Sequence, residues 1–424
     1  MTGQEQDRGR TSGIDLWVTI AAYALALLMI VLATQLHAQT FTVLHAFTGG
    51  GDGGDPMSGL TMDSAGNFYG TTWSGGTGYG TVFKLWHVGG GWRISPIYSF
   101  AGGYDGAGPQ ARVVFGPDGS LYGTTSGGGG GSCYDYGYQG CGTVFKLTPP
   151  ATACKAALCP WTETVLYRAA PDNGAYPVGE VVFDAAGNLY TTVALGGQGD
   201  GGYVIELTPH YRGWTSTIVH TFQPEQGDVS QPECGLVFDS LGNLYGTGNL
   251  GGASAGGVFR LTPSGSGWTE NVIHAFQGSD GNGSMASLTP DGYGGFYGTT
   301  FDLGPNNGGT VFDLTPAGGN WNFSLVYGFN FYDDNGSVLV APVTLGANGN
   351  LYGTTFECLH CRGVAYELTP SSGGWTETVL HRFEDGDDGG IPWSSVVFDS
   401  SGNLYGTASL GGAYGQGVVW EITP

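Results

Sequence analysis

The sequence predicts an all-β fold, a seven-bladed β-propeller with four-stranded blades. Three observations indicate this fold: Gly and Pro supply 82 and 20 of the 424 residues, 55 residues are aromatic, and one seven-residue phrase occurs seven times. Glycine-rich chains are often collagenous or disordered, but collagen needs a strict Gly-x-y period and disordered segments contain few aromatic residues. A packed protein with many turns remains.

The recurring phrase defines the repeat. It reads GNLYGTT, or a close variant, at 66–72, 119–125, 187–193, 242–248, 294–300, 349–355 and 402–408. Its tyrosines lie 52–55 residues apart except for one interval of 68 residues, which contains four cysteines and the glycine run 127–131. One repeat therefore contains an insertion, and the others are regular.

Each repeat contains four strand-length segments. They are an apolar run that ends near an Asp, the GNLYGTT phrase, a GTVFKLTP phrase and a WTETVLH phrase. The segments are rich in β-branched and aromatic residues, and the Gly, Asn, Asp and Pro between them favour tight turns. Four strands in every repeat of about 53 residues are typical of a propeller blade.

The ring is predicted to close with a strand from the opposite end of the chain. The last repeat, which ends at Pro424, has three strand segments, and residues 40–45 match the fourth-strand phrase at 376–381. Joining these segments removes an open sheet edge. Residues 39–424 are therefore predicted to form one propeller domain, which we expect to be a monomer.

Residues 1–38 have the features of an export signal. Arg8 and Arg10 precede an apolar run at 16–33, and Ala38 suits a cleavage site. Since the apolar run is nearly long enough to span a bilayer, a retained N-terminal anchor is the alternative. The expected location is secreted, periplasmic or at the cell surface, with membrane contact only if this segment is retained.

The seven cysteines also favour export, because disulfides persist in oxidising compartments. Three pairs are close in sequence and are predicted to form disulfides: Cys133 with Cys141, Cys154 with Cys159, and Cys358 with Cys361. Cys234 is predicted to be a buried free thiol. Cys358 and Cys361 also resemble a redox or half-zinc motif, but no second pair completes a four-ligand zinc site.

Charge excludes one class of partner. The chain has 35 acidic and 12 basic residues and a net charge of −23, so it repels nucleic acid. A glycan or a protein is the expected partner.

Candidate ligand residues lie in the loops between strand four of one blade and strand one of the next. The acidic candidates are Asp105, Asp172, Asp228, Asp280, Asp333 and Asp387. They form either a crown of carboxylates for Ca²⁺ or sugar hydroxyls, or ordinary Asp-Gly turns. Since no loop completes a calcium-binding motif, we predict no cofactor and no metal, and Ca²⁺ has no motif to support it.

Aromatic candidates lie in nearby loops and comprise Trp73, Tyr134, Tyr136, Tyr138 and Trp393. They either stack on carbohydrate or cap the blade ends. Another ring position in the fourth strands holds His45, His220, His274 and His381 in some repeats and Tyr98, Tyr167 and Tyr327 in others. Because histidine and tyrosine alternate there, we predict a core position and not a metal ligand.

The phrases D-x-x-G-N-L-Y-G-T-T, G-G-V-F-x-L-T-P and G-W-T-E-T-V-L-H-x-F, in this order, resemble the GloVer tandem repeat of bacterial "choice-of-anchor" exported proteins. The resemblance covers residues 40–424. It implies an exported or surface propeller and brings no catalytic residues with it.

The predicted function is an exported binding or interaction module, with glycans as candidate ligands. One alternative is a glycoside hydrolase or lyase that uses two loop carboxylates, and another is a purely structural surface protein. The loops are nearly uniform between repeats and the sialidase-type S-x-D-x-G-x-T-W box is absent from the sequence, which favours binding over catalysis.

Overall fold

The computed structural model describes residues 39–135, 137–151, 161–171, 174–252, 254–265 and 267–424. Seven four-stranded sheets confirm the predicted propeller, and we number their strands one to four from the central channel outward. The compact unit Phe41–Ile422 contains the blades; residues 1–40, Thr423 and Pro424 are outside it. In the described part of the chain, no helix is both long and apolar enough to cross a membrane.

The strands of each blade follow in order. Blade 1 comprises Thr61–Met62, Phe68–Thr72, Thr81–Val88 and Gly91–Ser99; blade 2 comprises Val114–Phe115, Leu121–Thr125, Thr143–Thr148 and Thr162–Arg168. Blade 3 comprises Val182–Phe183, Leu189–Val193, Tyr203–His210 and Gly213–Thr221; blade 4 comprises Val237–Phe238, Leu244–Gly248, Gly257–Ser264 and Gly267–Ala275. Blade 5 comprises Thr289–Pro290, Phe296–Thr300, Asn307–Ala317 and Asn320–Asn330; blade 6 comprises Thr344–Leu345, Leu351–Thr355, Val364–Ser371 and Gly374–Arg382. Blade 7 comprises Val397–Phe398, Leu404–Ala408, Val418–Thr423 and Thr40–Ala46.

Smaller elements lie in the loops. Tyr134–Asp135 pairs with Tyr138–Gln139 in the blade 2 insertion, and Val229–Ser230 pairs with Leu250–Gly251 beside blade 4. Two short 3-10 turns cover Gln198–Asp200 and Pro224–Gln226.

Blade 7 confirms the predicted ring closure. Its fourth strand is Thr40–Ala46, which hydrogen-bonds to strand three of that blade. Phe41 on this strand stacks on His381 of blade 6 with ring centroids 3.6 Å apart, and Phe47 is fully buried. The closing strand therefore contributes to both the sheet and the apolar contact between two blades.

The first strands are only two residues long, shorter than the apolar runs in the sequence. The residues before them leave the sheet, and their carbonyls accept hydrogen bonds from the preceding blade. Seven buried threonines, one in each GNLYGTT phrase, donate these bonds at 2.7–3.3 Å: Thr71 to Ala111, Thr124 to Gly179, Thr192 to Cys234, Thr247 to Ala286, Thr299 to Ala341, Thr354 to Ser394 and Thr407 to Ser58. Because buried polar groups need partners, these threonines hold each blade in register with the next.

The glycine of the phrase makes room for an aromatic ring. In blade 4, Phe259 of strand three lies across Gly246 of strand two, so closely that a Cβ on Gly246 would be 2.5 Å from Phe259 Cζ. Blade 3 has Thr191 at the glycine position, and there the cross-strand partner is the smaller Ile205. The size of the strand-three side chain therefore decides whether glycine is needed.

Disulfides close two loops, as predicted. Cys133 pairs with Cys141 in the blade 2 insertion, and Cys358 pairs with Cys361 in blade 6. Cys234 is a buried free thiol whose pKa is raised by burial.

The third predicted disulfide is not among the described residues. It joins Cys154 to Cys159, and the described ranges on either side end at residue 151 and begin again at residue 161. Both Cys154 and Cys159 therefore lie outside the described residues, and a disulfide between them stays a prediction.

Candidate functional site

One end of the propeller collects the loops between strands two and three and the loops between successive blades. Isolated β-bridges join the two kinds of loop, such as Gly54 with Ser74 and Ala107 with Gly127. At this end, the short segments before the seven first strands surround a cavity of about 300 Å³, which we call the channel mouth. A second cavity of about 690 Å³ continues from it along the first strands.

The channel mouth does not have the symmetry of the repeat. Equivalent positions immediately before the seven first strands are occupied by Gly59, Arg112, Glu180, Gly235, Ser287, Pro342 and Ser395. Two residues nearer the open end, the equivalent positions are occupied by Met57, Gln110, Val178, Glu233, Met285, Val340 and Trp393. Charge is therefore concentrated on blades 2, 3 and 4, and the remaining wall is apolar or small.

Arg112 and Glu180 form an ion pair across blades 2 and 3. Arg112 donates from Nε to Glu180 Oε1 at 3.2 Å and from Nη2 to Oε2 at 2.8 Å. The Glu180 charge raises the pKa of Arg112, although burial lowers it. Both residues line the two cavities, so this two-point contact presents a charged pair of defined orientation where the cavities meet.

Two tryptophans line the channel mouth from neighbouring blades. Trp73 follows strand two of blade 1, and Trp393 precedes strand one of blade 7. Trp393 packs edge-on against Phe356, with centroids 5.0 Å apart. Both rings are half-buried, so each is supported by neighbouring side chains and keeps part of its surface accessible.

Tyr138 supports Trp73 from the blade 2 insertion. Their ring centroids are 5.0 Å apart, and the Tyr138 hydroxyl donates to the Trp73 carbonyl at 3.1 Å. Burial, with smaller contributions from Asp55 and Tyr79, raises the pKa of Tyr138 to about 12. Tyr138 therefore keeps its proton at neutral pH and remains a donor.

The structure separates the predicted acidic residues from these aromatic residues. Asp105 lies 3.0 Å from the Tyr98 hydroxyl, Asp280 lies 2.8 Å from His274 Nε2, and Asp228 lies 3.5 Å from His220 Nε2. Backbone amides of the same loops also donate to them at 2.7–2.9 Å. These are the contacts of turn residues near the outer strands.

The other predicted residues lie in various positions. Asp387 is exposed, and the neighbouring Asp388 contacts His381 instead. Asp333 accepts from the Asn335 amide at 3.0 Å. Among the described acidic candidates, none lines the channel mouth. Asp172 and Tyr136 lie outside the described residues, and of Tyr134 only the backbone strand is described.

Arg112 and Glu180 were missed by reasoning from the sequence. Their signal is visible once the repeats are aligned at the apolar run before the GN turn, because five of the seven positions hold Gly, Ser or Pro and two hold opposite charges. The alignment alone does not show that this position faces a common channel.

Comparisons with known proteins agree on repeat and fold. The family described as the Gloeobacter/Verrucomicrobia repeat matches residues 30–253, 130–357 and 294–424, which confirms the resemblance to the GloVer repeat. Among curated proteins, none matches the sequence.

Two solved structures are similar in fold. A candidate 6-phosphogluconolactonase from Bacteroides uniformis has 14% identity and a TM-score of 0.50, with 78% of this chain and 86% of that chain covered. A candidate oxidoreductase (glucose dehydrogenase) from Thermus thermophilus has 15% identity and a TM-score of 0.43, with 91% of this chain and 100% of that chain covered. Fold similarity at this identity does not define an activity.

Proposed function

Since this chain belongs to the Gloeobacter/Verrucomicrobia repeat family and forms a seven-bladed propeller, we propose that it is an exported binding module for a neutral or basic glycan. The ligand enters the channel mouth. Trp73 and Trp393 contact its apolar faces, and the Arg112–Glu180 pair orients its polar groups.

The observation that supports this site is the loss of repeat symmetry at the channel mouth. A purely structural ring needs the same residue at all seven channel positions, and the threonine hydrogen bonds show that the repeat keeps such uniformity where it supports the fold. Opposite charges on blades 2 and 3, with a tryptophan on either side of the opening, serve no comparable packing need. Convergent polar groups in an apolar cavity are typical of ligand sites.

The chemistry of the lining supports a sugar. Aromatic rings pack against the C–H faces of sugar rings, and planar Arg, Glu and Gln side chains hydrogen-bond to hydroxyl groups. The cavity of about 300 Å³ is at the small end of the usual range for ligand sites. The net charge of −23 opposes anionic polysaccharides, which favours a neutral or basic ligand.

Export is supported by the signal-like composition of residues 1–38 and by the two disulfides. Mass spectrometry of the protein recovered from its native cells tests this part of the proposal. A mass that lacks residues 1–38, in the periplasm or the medium, is expected. An uncleaved chain in the cytoplasmic fraction contradicts it.

A glycan array, run with and without Ca²⁺ and followed by calorimetry on the tightest neutral oligosaccharide, tests binding. We expect Trp73→Ala and Trp393→Ala each to weaken binding by about 2 kcal/mol, roughly thirty-fold, because each removes one face of the site. Tyr293→Ala is the matched control, since this tyrosine is 94% exposed in the turn between strands one and two of blade 5.

Two results contradict the proposal. One is an array without signal for neutral and amino sugars under both conditions. The other is an affinity that neither tryptophan substitution changes. Release of shorter sugars during the incubation instead favours the enzyme alternative.

A further inference from the structure

Neighbouring blades also meet at their outer strands, where a ring on strand four of one blade faces strand four of the next. We call each such contact an interblade seam. Five seams have an identified pair: Tyr98 with Glu163, His220 with Glu270, His274 with Phe323, Tyr327 with Glu377, and His381 with Phe41. Among these five, the seam between blades 3 and 4 is the only one in which histidine faces glutamate.

At this seam three possible metal ligands converge. His220 Nε2 lies 3.5 Å from Asp228 Oδ2 and 3.5 Å from Glu270 Oε2. The donor atoms of the three residues all lie within 4.8 Å of one another. The Gln223 amide donates to Asp228 Oδ2 at 2.9 Å and holds that carboxylate in place.

The histidine position differs from that in the other histidine seams. There the Nε2 to Asp distance is 2.8 Å for His274 and 3.0 Å for both His45 and His381, as expected of a direct hydrogen bond. His220 instead lies at the same, longer distance from two carboxylates. A ring drawn toward one hydrogen-bond partner does not adopt this position.

The buried polar atoms provide a second, independent observation. The Glu270 side chain is only 5% exposed and its carboxylate points toward His220. Within the described residues, neither Glu270 Oε1 nor His220 Nε2 has a hydrogen-bond partner. An unpaired buried polar atom is costly, and a buried carboxylate is more so, which indicates that this seam accommodates a further group.

We propose that His220, Asp228 and Glu270 bind a divalent transition metal, with Zn²⁺ as the best match. Zinc–ligand bonds of about 2.0–2.2 Å place neighbouring ligands of a tetrahedral site about 3.3–3.6 Å apart, which matches the two distances of 3.5 Å. One imidazole and two carboxylates suit Zn²⁺ better than Ca²⁺, which prefers six to eight oxygens. Three protein ligands leave a fourth position for water or a ligand.

The bound metal links two blades. His220 lies on strand four of blade 3, Glu270 lies on strand four of blade 4, and Asp228 lies in the loop between these blades. The site is distinct from the channel mouth, because none of its three residues lines that cavity. It therefore stands or falls independently of glycan binding.

The test is calorimetric titration of the EDTA-treated full chain with ZnCl₂, together with the visible absorption of added Co²⁺. We expect saturable binding that depends on the seam. His220→Tyr and Glu270→Gln should each weaken it by more than the roughly 10- to 100-fold typical of losing a second-shell residue. Zn²⁺ should also raise the Tm of the native chain and not that of His220→Tyr.

His220→Tyr is chosen because tyrosine already faces glutamate in the seams of blades 1–2 and 5–6, so the fold tolerates that pair. His274→Tyr is the matched control, since His274 faces Phe323, and it should bind Zn²⁺ as the native chain does. Two results overturn the proposal: no saturable Zn²⁺ or Co²⁺ binding by the native chain, or binding that both His220→Tyr and Glu270→Gln leave unchanged. If His220→Tyr does not fold, Glu270→Gln, which keeps the side-chain size, decides the question.

Discussion

The cross-strand pair Gly246 and Phe259 allows a quantitative test of how the blades pack. A Cβ on Gly246 would lie 2.5 Å from Phe259 Cζ, 2.9 Å from Cε1 and 3.0 Å from Leu236 Cδ2. Carbon atoms prefer separations of about 3.5–4.0 Å, so the ring must move by about 1 Å. Phe259 is fully buried, and such overpacking costs about 1–3 kcal/mol. We therefore expect Gly246→Ala to lower the free energy of unfolding by that amount.

Blade 3 suggests how this cost is relieved, because Thr191 there pairs with the smaller Ile205. Phe259→Ile alone should cost about 1–2 kcal/mol through lost contacts. In the double variant, isoleucine makes room for the new methyl group. The combined loss should therefore be smaller than the sum of the single losses by about 1 kcal/mol or more.

Guanidinium unfolding of the native chain, both single variants and the double variant measures this coupling. Gly267→Ala in the same blade is the control, because a Cβ there meets open space and φ is not positive; its stability should stay within about 0.5 kcal/mol of native. A coupling energy of zero, or a Gly246→Ala variant as stable as Gly267→Ala, would refute the packing argument.

Three further predictions concern the seams, the ring closure and the turns. Burial, joined by the Asp333 charge and opposed by the Tyr327 hydrogen bond, raises the pKa of Glu377 from 4.5 to about 7, so the folded state binds the proton more tightly and stability falls as pH rises from about 4.5 to 7. In urea melts at pH 5 and 8, Glu377→Gln should reduce this fall by about 1–2 kcal/mol, discounted for partial exposure, whereas the exposed control Glu225→Gln should not change it. A chain without residues 1–47 should misfold or aggregate because it lacks the closing strand, whereas one without residues 1–38 should remain monomeric; a cooperative, monomeric melt of the shorter chain contradicts this. In blade 4, Asp239 accepts hydrogen bonds from the Leu241 and Asn243 amides at 2.8 and 2.9 Å, so Asp239→Ala should cost about 1–3 kcal/mol in the same melts, and an unchanged midpoint contradicts the role of this turn.

The repeat made most of the fold predictable. Four strand phrases per repeat, seven repeats and the displaced fourth strand at residues 40–45 specify the blades and their closure. The turn phrase D-x-x-G-N was also readable, because Asp and Asn bond to nearby backbone amides. The two-residue length of the first strands was not predicted, since it depends on hydrogen bonds from a threonine in the preceding blade.

The candidate site was only partly predictable. Trp73, Trp393 and Tyr138 were singled out as exceptions to the repeat, and the structure groups Tyr138 with Trp73 and places both tryptophans at the channel mouth. The acidic loop residues were equally visible in the sequence, but their contacts lie with the outer rings. Local sequence shows that an acid recurs and does not show which blade surface it faces.

The sequence by itself determined which segments become strands, where they turn and how many blades form, because these depend on periodicity and turn chemistry within each repeat. Tertiary structure alone decided which residues from different repeats meet. Arg112 meets Glu180 across 68 residues, and His220 meets Glu270 across 50, because ring closure brings equivalent positions of neighbouring blades together. Such contacts depend on the geometry between blades, which no single repeat encodes.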